Sequence, residues 1–214
     1  MKDILVLLPV KTNSKRLPNK NLKLLCDKPL FIYALEAANE FCKNNEILPY
    51  ITADDEEVFS IASDYVENFN TILRPKYLTE DPYQLVDVCL HAIIELRSKG
   101  KQFETLVVVQ PSNPFVTEED IDTCYWRNVS FSNTVRSVYK IEGNIYNKSG
   151  NLLCGDLYKG NGSIVVINIF KFLNTKEFEY NYLYEMPKER SIDIDFEIDF
   201  LIAKELMQRR IENG

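Results

Sequence analysis

Thr105-Leu106-Val107-Val108-Val109-Gln110 is the stretch that decides the fold. It is a continuous β-branched and aliphatic run, the pattern of a strand covered on both faces in a parallel sheet. Pro111 and Pro114 stop it, since proline brings no N–H to a ladder. Thr117 with Asp120 three residues later reads as a capping box, opening a helix to about Arg127. Toward the N-terminus the same alternation continues. Val86–Leu96 is an amphipathic helix, and Leu48–Thr52 is a short strand. Asp54 with Glu57 predicts an N-cap box for a helix to about Glu67. Leu30–Phe41 has helical spacing, and Ile4–Pro9 is a first β-rich strand. Toward the C-terminus, Thr134–Tyr139 and Ile164–Phe170 read as strands and Phe196–Arg210 as a closing helix. Gly143, Gly150, Gly155, Gly160 and Gly162 crowd one segment, a hairpin or flap. The pattern predicts an α/β fold with a mainly parallel sheet, helices on both faces and a small β flap. It forms a single domain over residues 1–214, with an excursion at about 141–163.

The 214 residues carry 25 Lys and Arg against 32 Asp and Glu, a net charge of −7. That acidity argues against a general nucleic-acid binder. A hydrophobic share of 45% excludes a disordered chain. No apolar run approaches the roughly 18 residues of a membrane span, and the polar start Met1-Lys2-Asp3 does not read as a signal peptide. Cys26, Cys42, Cys89, Cys124 and Cys154 contain no Cys-x-x-Cys pair, which excludes zinc-ribbon spacing and suits a reducing, cytoplasmic setting. The single histidine, His91, lies in an apolar helical stretch and reads as a packed residue rather than as the centre of a triad.

In open parallel sheets ligands bind beyond the carboxyl ends of the strands. The first such loop, Pro9-Val10-Lys11-Thr12-Asn13-Ser14-Lys15-Arg16-Leu17-Pro18-Asn19-Lys20-Asn21, carries Lys11, Lys15, Arg16 and Lys20 in an acidic chain. It has no glycine, so neither the P-loop nor the dinucleotide fingerprint applies. Point cations and polar side chains in a turn after a buried strand suit a polyphosphate; a solvated basic loop is the plainer reading. Near the C-terminus stands Ser191-Ile192-Asp193-Ile194-Asp195. As a strand, it would put Asp193 and Asp195 on one face and Ile192 and Ile194 in the core. Paired carboxylates suit Mg²⁺, whose shell is completed by water and phosphate oxygens. Otherwise Asp195 merely caps the helix starting near Phe196.

These residues resemble the CMP-sugar synthetases, in particular the CMP-sialic acid synthetases (acylneuraminate cytidylyltransferases). The N-terminal loop is similar to that family's signature. The likeness continues in order through Lys28-Pro29-Leu30, Thr52-Ala53-Asp54-Asp55, Arg74-Pro75, Gln110-Pro111-Ser112-Asn113-Pro114-Phe115, Asn161-Gly162-Ser163-Ile164 and the Ser191–Asp195 motif. The resemblance implies a Rossmann-like nucleotidyltransferase fold. It also implies transfer of CMP from CTP to an anionic acceptor, a sialic-acid-like 2-keto sugar acid, with release of pyrophosphate. Lys11, Ser14, Lys15, Lys20 and Asn21 would then hold the triphosphate, with Arg74 facing the nucleotide and Gln110 the acceptor. Asp193 and Asp195 would bind Mg²⁺ or another divalent cation; with Lys15 and Lys20 they form the expected catalytic set. Arg16 occupies a position that varies in the family and is assigned no role.

The chain also departs from the family pattern. Lys11 stands in place of the signature arginine, and Val116 in place of a second. Pro82-Tyr83-Gln84-Leu85 replaces the serine-rich turn on the cytosine side. A shortened insert lacks the His-Pro pair of the family's dimerisation segment, which weakens the implied homodimer. Two other classes share parts of the pattern: a nucleotide-sugar-dependent glycosyltransferase with an Asp-x-Asp metal site, and a binding module that keeps the nucleotide pocket without turnover.

Overall fold

The computed structural model describes residues 3–149, 151–153 and 155–213; Gly150 and Cys154 lie outside the described residues. Its seven-stranded sheet is built from β1 (Ile4–Val10), β4 (Tyr50–Ala53), β5 (Asn70–Leu73), β6 (Thr105–Val109), β7 (Val135–Lys140), β8 (Tyr158–Asn168) and β9 (Tyr182–Glu185). A two-stranded ribbon, β2 (Leu24–Leu25) and β3 (Lys28–Pro29), leads into the first helix. The helices are α1 (Leu30–Asn44), α2 (Glu57–Ser63), α3 (Leu85–Ser98), α4 (Glu118–Phe131), α5 (Ile169–Thr175) and α6 (Glu197–Asn213). Strand order is β5-β4-β1-β6-β8-β7-β9. β1 pairs in parallel with β4 and β6, and β4 with β5, while β8 lies antiparallel between β6 and β7.

Period-two alternation sends the two faces of β1 into different layers. Ile4, Val6, Leu8 and Val10 pack with Phe31, Leu35 and Phe41 of α1, Val58 of α2 and Ile121 of α4. Leu5 and Leu7 pack with Cys89, Ala92 and Ile93 of α3 and Phe172 of α5. All five residues of β6 are buried, as a β-branched run between two other strands requires. The chain steps outward from β1 to β4 and β5, then returns to β6. This places the reversal of winding between β1 and β6.

Several elements differ from the sequence expectations. Asp54 does not cap α2, whose N-cap is Glu56 and which ends at Ser63 rather than near Glu67. Its carboxylate accepts instead from Thr12 N at 2.9 Å and Thr12 Oγ1 at 2.8 Å, across 42 residues of sequence. Phe170 belongs to α5, because Asn168 ends the strand by accepting from Lys171 N. Ser191–Asp195 is not a strand and joins no ladder. The Thr117–Asp120 capping box is present. Between β7 and β8 the chain makes a short excursion closed by a Tyr146–Leu152 antiparallel bridge. His91 sits half-buried on α3, and burial lowers its pKa.

Candidate active site

Beyond the ends of β1 and β6, at the winding reversal, a cleft of about 360 Å³ opens, the place where open α/β sheets bind ligands. Lys11, Arg16, Lys20 and Asn21 from the loop after β1 line it, together with Gln110, Pro111 and Ser112 from the loop after β6. Arg74, Tyr83, Gln84 and Leu85 line it as well. The loop keeps its shape through contacts that sequence spacing alone does not reveal. Thr12 is fixed to Asp54, and Asn21 Nδ2 donates to Lys11 O at 2.8 Å. Leu17 is buried with Phe115, Ile194 and Phe200 of the C-terminal layer.

The cations are not equivalent. Lys20 is largely buried and donates to Asp195 Oδ1 at 3.0 Å and to Ile194 O. Lys15 is exposed and pairs with the exposed Asp81. Lys11 is half-buried, and burial together with Lys20, Arg74, Lys15 and Arg16 lowers its pKa. Arg16, assigned no role by the sequence reading, lines the cleft and pairs with Asp195 Oδ2 at 2.7 Å. Arg74 is buried and committed to backbone, donating to Thr52 O at 2.5 Å and Val10 O at 2.7 Å, with Asp54 at 3.6 Å. Burial lowers its pKa to about 10, against the opposing pull of Asp54. Ser14 Oγ, Asn21 Oδ1 and Arg74 Nε are buried without a hydrogen-bond partner among the described residues. Asn21 and Arg74 line the cleft, and unpaired polar atoms there suit a polar occupant.

Asp193 and Asp195 face a second cleft of about 340 Å³, which they share with Tyr139, Lys159, Lys188 and Ser191. The Asp193 carboxylate lies against Gly162, where an added Cβ would collide with it. Burial raises its pKa and Asp195 raises it further, while a hydrogen bond from Ser112 and the charges of Lys20 and Arg16 lower it. Arg16 and Lys20, which line the first cleft, thus reach Asp195, which lines the second. The donor chemistry, two neighbouring carboxylates of which one is crowded by its like-charged partner, fits a small hard cation. No group of three or more His, Cys, Asp or Glu among the described residues could hold a metal ion by itself. Gln110 lines the first cleft, and its N–H donates to Ser163 O at 2.8 Å.

Sequence reasoning read Asp120 only as a helix cap. In the fold it is fully buried and accepts from Thr117, Tyr184 Oη at 2.9 Å and Arg190 Nη2 at 2.7 Å. Nothing local signals this, because Tyr184 and Arg190 lie 64 and 70 residues away.

A winding reversal flanked by a cationic loop, with paired carboxylates behind it, defines a protein of the nucleotidyltransferase-like fold. A family model described as cytidylyltransferase matches residues 5–210, and the chain belongs to that family. The N-acylneuraminate cytidylyltransferase of Escherichia coli O18:K1:H7 is 28% identical over 97% of this chain and 52% of its own length. This chain therefore spans about half the length of that relative. The CMP-N,N'-diacetyllegionaminic acid synthase of Legionella pneumophila is 27% identical over 96% of both chains. Among solved structures, a CMP:2-keto-3-deoxy-manno-octonic acid synthetase complexed with CTP is similar in fold, with a TM-score of 0.67, 13% identity and coverage of 98% of this chain and 100% of that one. The 4-diphosphocytidyl-2C-methyl-D-erythritol synthase of Anaerococcus prevotii gives a TM-score of 0.71 at 11% identity, covering 97% of this chain and 99% of that one.

Proposed function

We propose that the chain transfers CMP from CTP to the hydroxyl of an anionic acceptor, a sialic-acid-like 2-keto sugar acid, and releases pyrophosphate. The observation that carries this reading is the cleft at the winding reversal, where Lys11, Arg16 and Lys20 meet Gln110–Ser112. Three cations in a partly desolvated turn offset polyphosphate charge more strongly than in water. Family membership and the acid acceptors named for the relatives support the same reading.

Lys11, Ser14, Lys15, Lys20 and Asn21 would bind the triphosphate. Arg74, spent on backbone, would act on the nucleotide through the backbone it stiffens and its free Nε. The acceptor would enter from the second cleft, where Lys159 and Lys188 supply charge for its carboxylate and Gln110 reaches it from the other side. The acceptor oxygen attacks the α-phosphorus, the bond from that phosphorus to the bridging oxygen of the β-phosphate breaks, pyrophosphate leaves with that oxygen, and the hydroxyl proton passes to solvent. Asp193 and Asp195 would hold a divalent cation, Mg²⁺, which when bound neutralises phosphate charge and lowers the pKa of the attacking hydroxyl. The cysteine usage supports a cytoplasmic enzyme.

Pyrophosphate release from CTP and Mg²⁺ with a panel of acidic sugars, run beside nucleotide-sugar turnover, tests the reading. Release with a 2-keto sugar acid is expected. Turnover of a nucleotide sugar would move the chain to the glycosyltransferases, and CTP binding without release would make it a binding module.

A further inference from the structure

Ser191–Asp195 carries two carboxylates of the candidate site, yet it belongs to no strand, so no sheet ladder fixes their direction. What fixes it is a set of polar contacts around the preceding turn. The Arg190 guanidinium grips the buried Asp120 at two points, Nε to Oδ2 at 3.1 Å and Nη2 to Oδ1 at 2.7 Å. Asp120 itself cannot drift: Thr117 N and Oγ1 donate to Oδ2 at 3.1 and 2.9 Å, and Tyr184 Oη donates to Oδ1 at 2.9 Å. The backbone of Arg190 is held as well, since its carbonyl accepts from Asn113 Nδ2 at 2.8 Å. One residue on, Ser191 Oγ donates to Pro187 O at 2.9 Å and accepts from the buried Asn161 Nδ2 at 3.1 Å. Beyond these, Ile194 N donates to Ser112 O at 3.0 Å.

We infer that Arg190 is a positioning residue, which aims Asp193 and Asp195 by locking the turn before them to Asp120. The inference rests on the cytidylyltransfer reading and deepens it. A planar fork on a carboxylate fixes direction as well as distance, which a lysine ammonium cannot do. The same clamp joins the two halves of the site. Asn113 and Ser112 belong to the loop after β6, whose preceding residues line the nucleotide cleft, so the acidic segment is registered to that wall through Arg190 O and Ile194 N. Asp193 has little room for error, because its carboxylate is wedged against Gly162.

The test compares the wild type with Arg190→Lys, which keeps the charge and loses the fork, and with Tyr184→Phe, which removes one contact to Asp120 and serves if the lysine variant does not fold. In Arg190→Lys the turnover number for pyrophosphate release falls at least tenfold while KM for CTP stays within twofold; Tyr184→Phe shows the same split at smaller amplitude. A merely structural role would instead lower thermal stability and leave the turnover of the folded fraction unchanged. Amide exchange across 191–196, read in the absence of substrate, quickens in both variants while exchange in β1 and β6 does not. Full turnover in a folded Arg190→Lys overturns the positioning role and leaves the enzymatic reading intact. If the wild type releases no pyrophosphate, that reading fails and exchange alone decides: faster exchange confined to 191–196 upholds the clamp, and unchanged exchange overturns it.

Discussion

Lys15 and Lys20 leave the same loop in opposite surroundings. Lys20 is shielded and already holds Asp195, so a phosphate brought to it meets a placed, partly desolvated cation. Lys15 stands in solvent beside Asp81, and exposed pairs of this kind contribute little. Lys20→Ala is expected to weaken CTP binding about tenfold to a hundredfold, the loss of a charge-assisted contact of about 1.5–3 kcal/mol. Lys15→Ala is expected to cost less than about tenfold. Calorimetric titration ranks them, and unchanged affinity in both variants would remove the phosphate-loop reading. Asp193 allows a prediction in pH. Burial and Asp195 raise the pKa of its carboxyl from the ordinary value. An acid whose pKa is higher folded than unfolded stabilises the fold while protonated and loses that contribution as pH rises through the folded value. At neutral pH the ionised side chain is therefore a cost that Asp193→Asn relieves. The variant should melt at or above the wild type near pH 7, with the difference closing toward about pH 4. A difference that widens on acidification would contradict this, while turnover is expected to fall steeply because an amide is a poor ligand for a hard cation.

At the scale of elements, legibility followed the range of the determining contacts. β6 and the Thr117–Asp120 cap were readable because a β-branched run and a box at three-residue spacing carry their own cause. Asp54 and Glu57 show the same local spacing as a cap, yet Thr12, 42 residues away, takes the carboxylate. The alternation in Ser191–Asp195 placed Ile192 and Ile194 in the core of a strand. Ile194 is buried, but Ile192 is half-buried and lines the second cleft. There is no strand, since the backbone bonds go to Ser112 and Lys20 rather than to a neighbouring ladder. β4, β5 and β9 have four residues each, but only β4 is buried throughout; β5 and β9 are largely exposed and carry no continuous apolar run. In β8, Gly162 has φ +57°, and its bare Cα admits the Asp193 carboxylate. Gly162→Ala meets both the strained backbone and that collision. It is expected to destabilise the fold by about 1–3 kcal/mol. At about 2–4 °C per kcal/mol for a chain of this size, the melting temperature falls by several degrees. Turnover should drop further than stability accounts for, and a Gly162→Ala enzyme of full activity would place Asp193 outside the chemistry.

For the whole molecule, the α/β class and the placing of candidate residues in loops after strands followed from strand–helix alternation, whereas the order of strands and the antiparallel β8 inside the sheet did not, because pairing partners and direction leave no trace in composition. No helix among the described residues is long and apolar enough to cross a membrane. A ligand that binds only the folded state stabilises all of it, by about 2.7 kcal/mol at a hundredfold excess over Kd. CTP with Mg²⁺ at that excess should raise the melting temperature by about 5–11 °C, and UTP run in parallel reads base selectivity on the same scale. An equal absence of shift with both nucleotides would deny the cleft its ligand. The contact of Lys20 with Ile194 and Asp195 ties together residues 174 and 175 positions apart. During synthesis at about 5–20 residues per second, the basic loop therefore waits roughly 10–35 s for the segment that completes it. β1, β4, β5 and β6 can assemble in that interval with a mouth that is only half built, so the candidate site is completed late, after most of the sheet has been made.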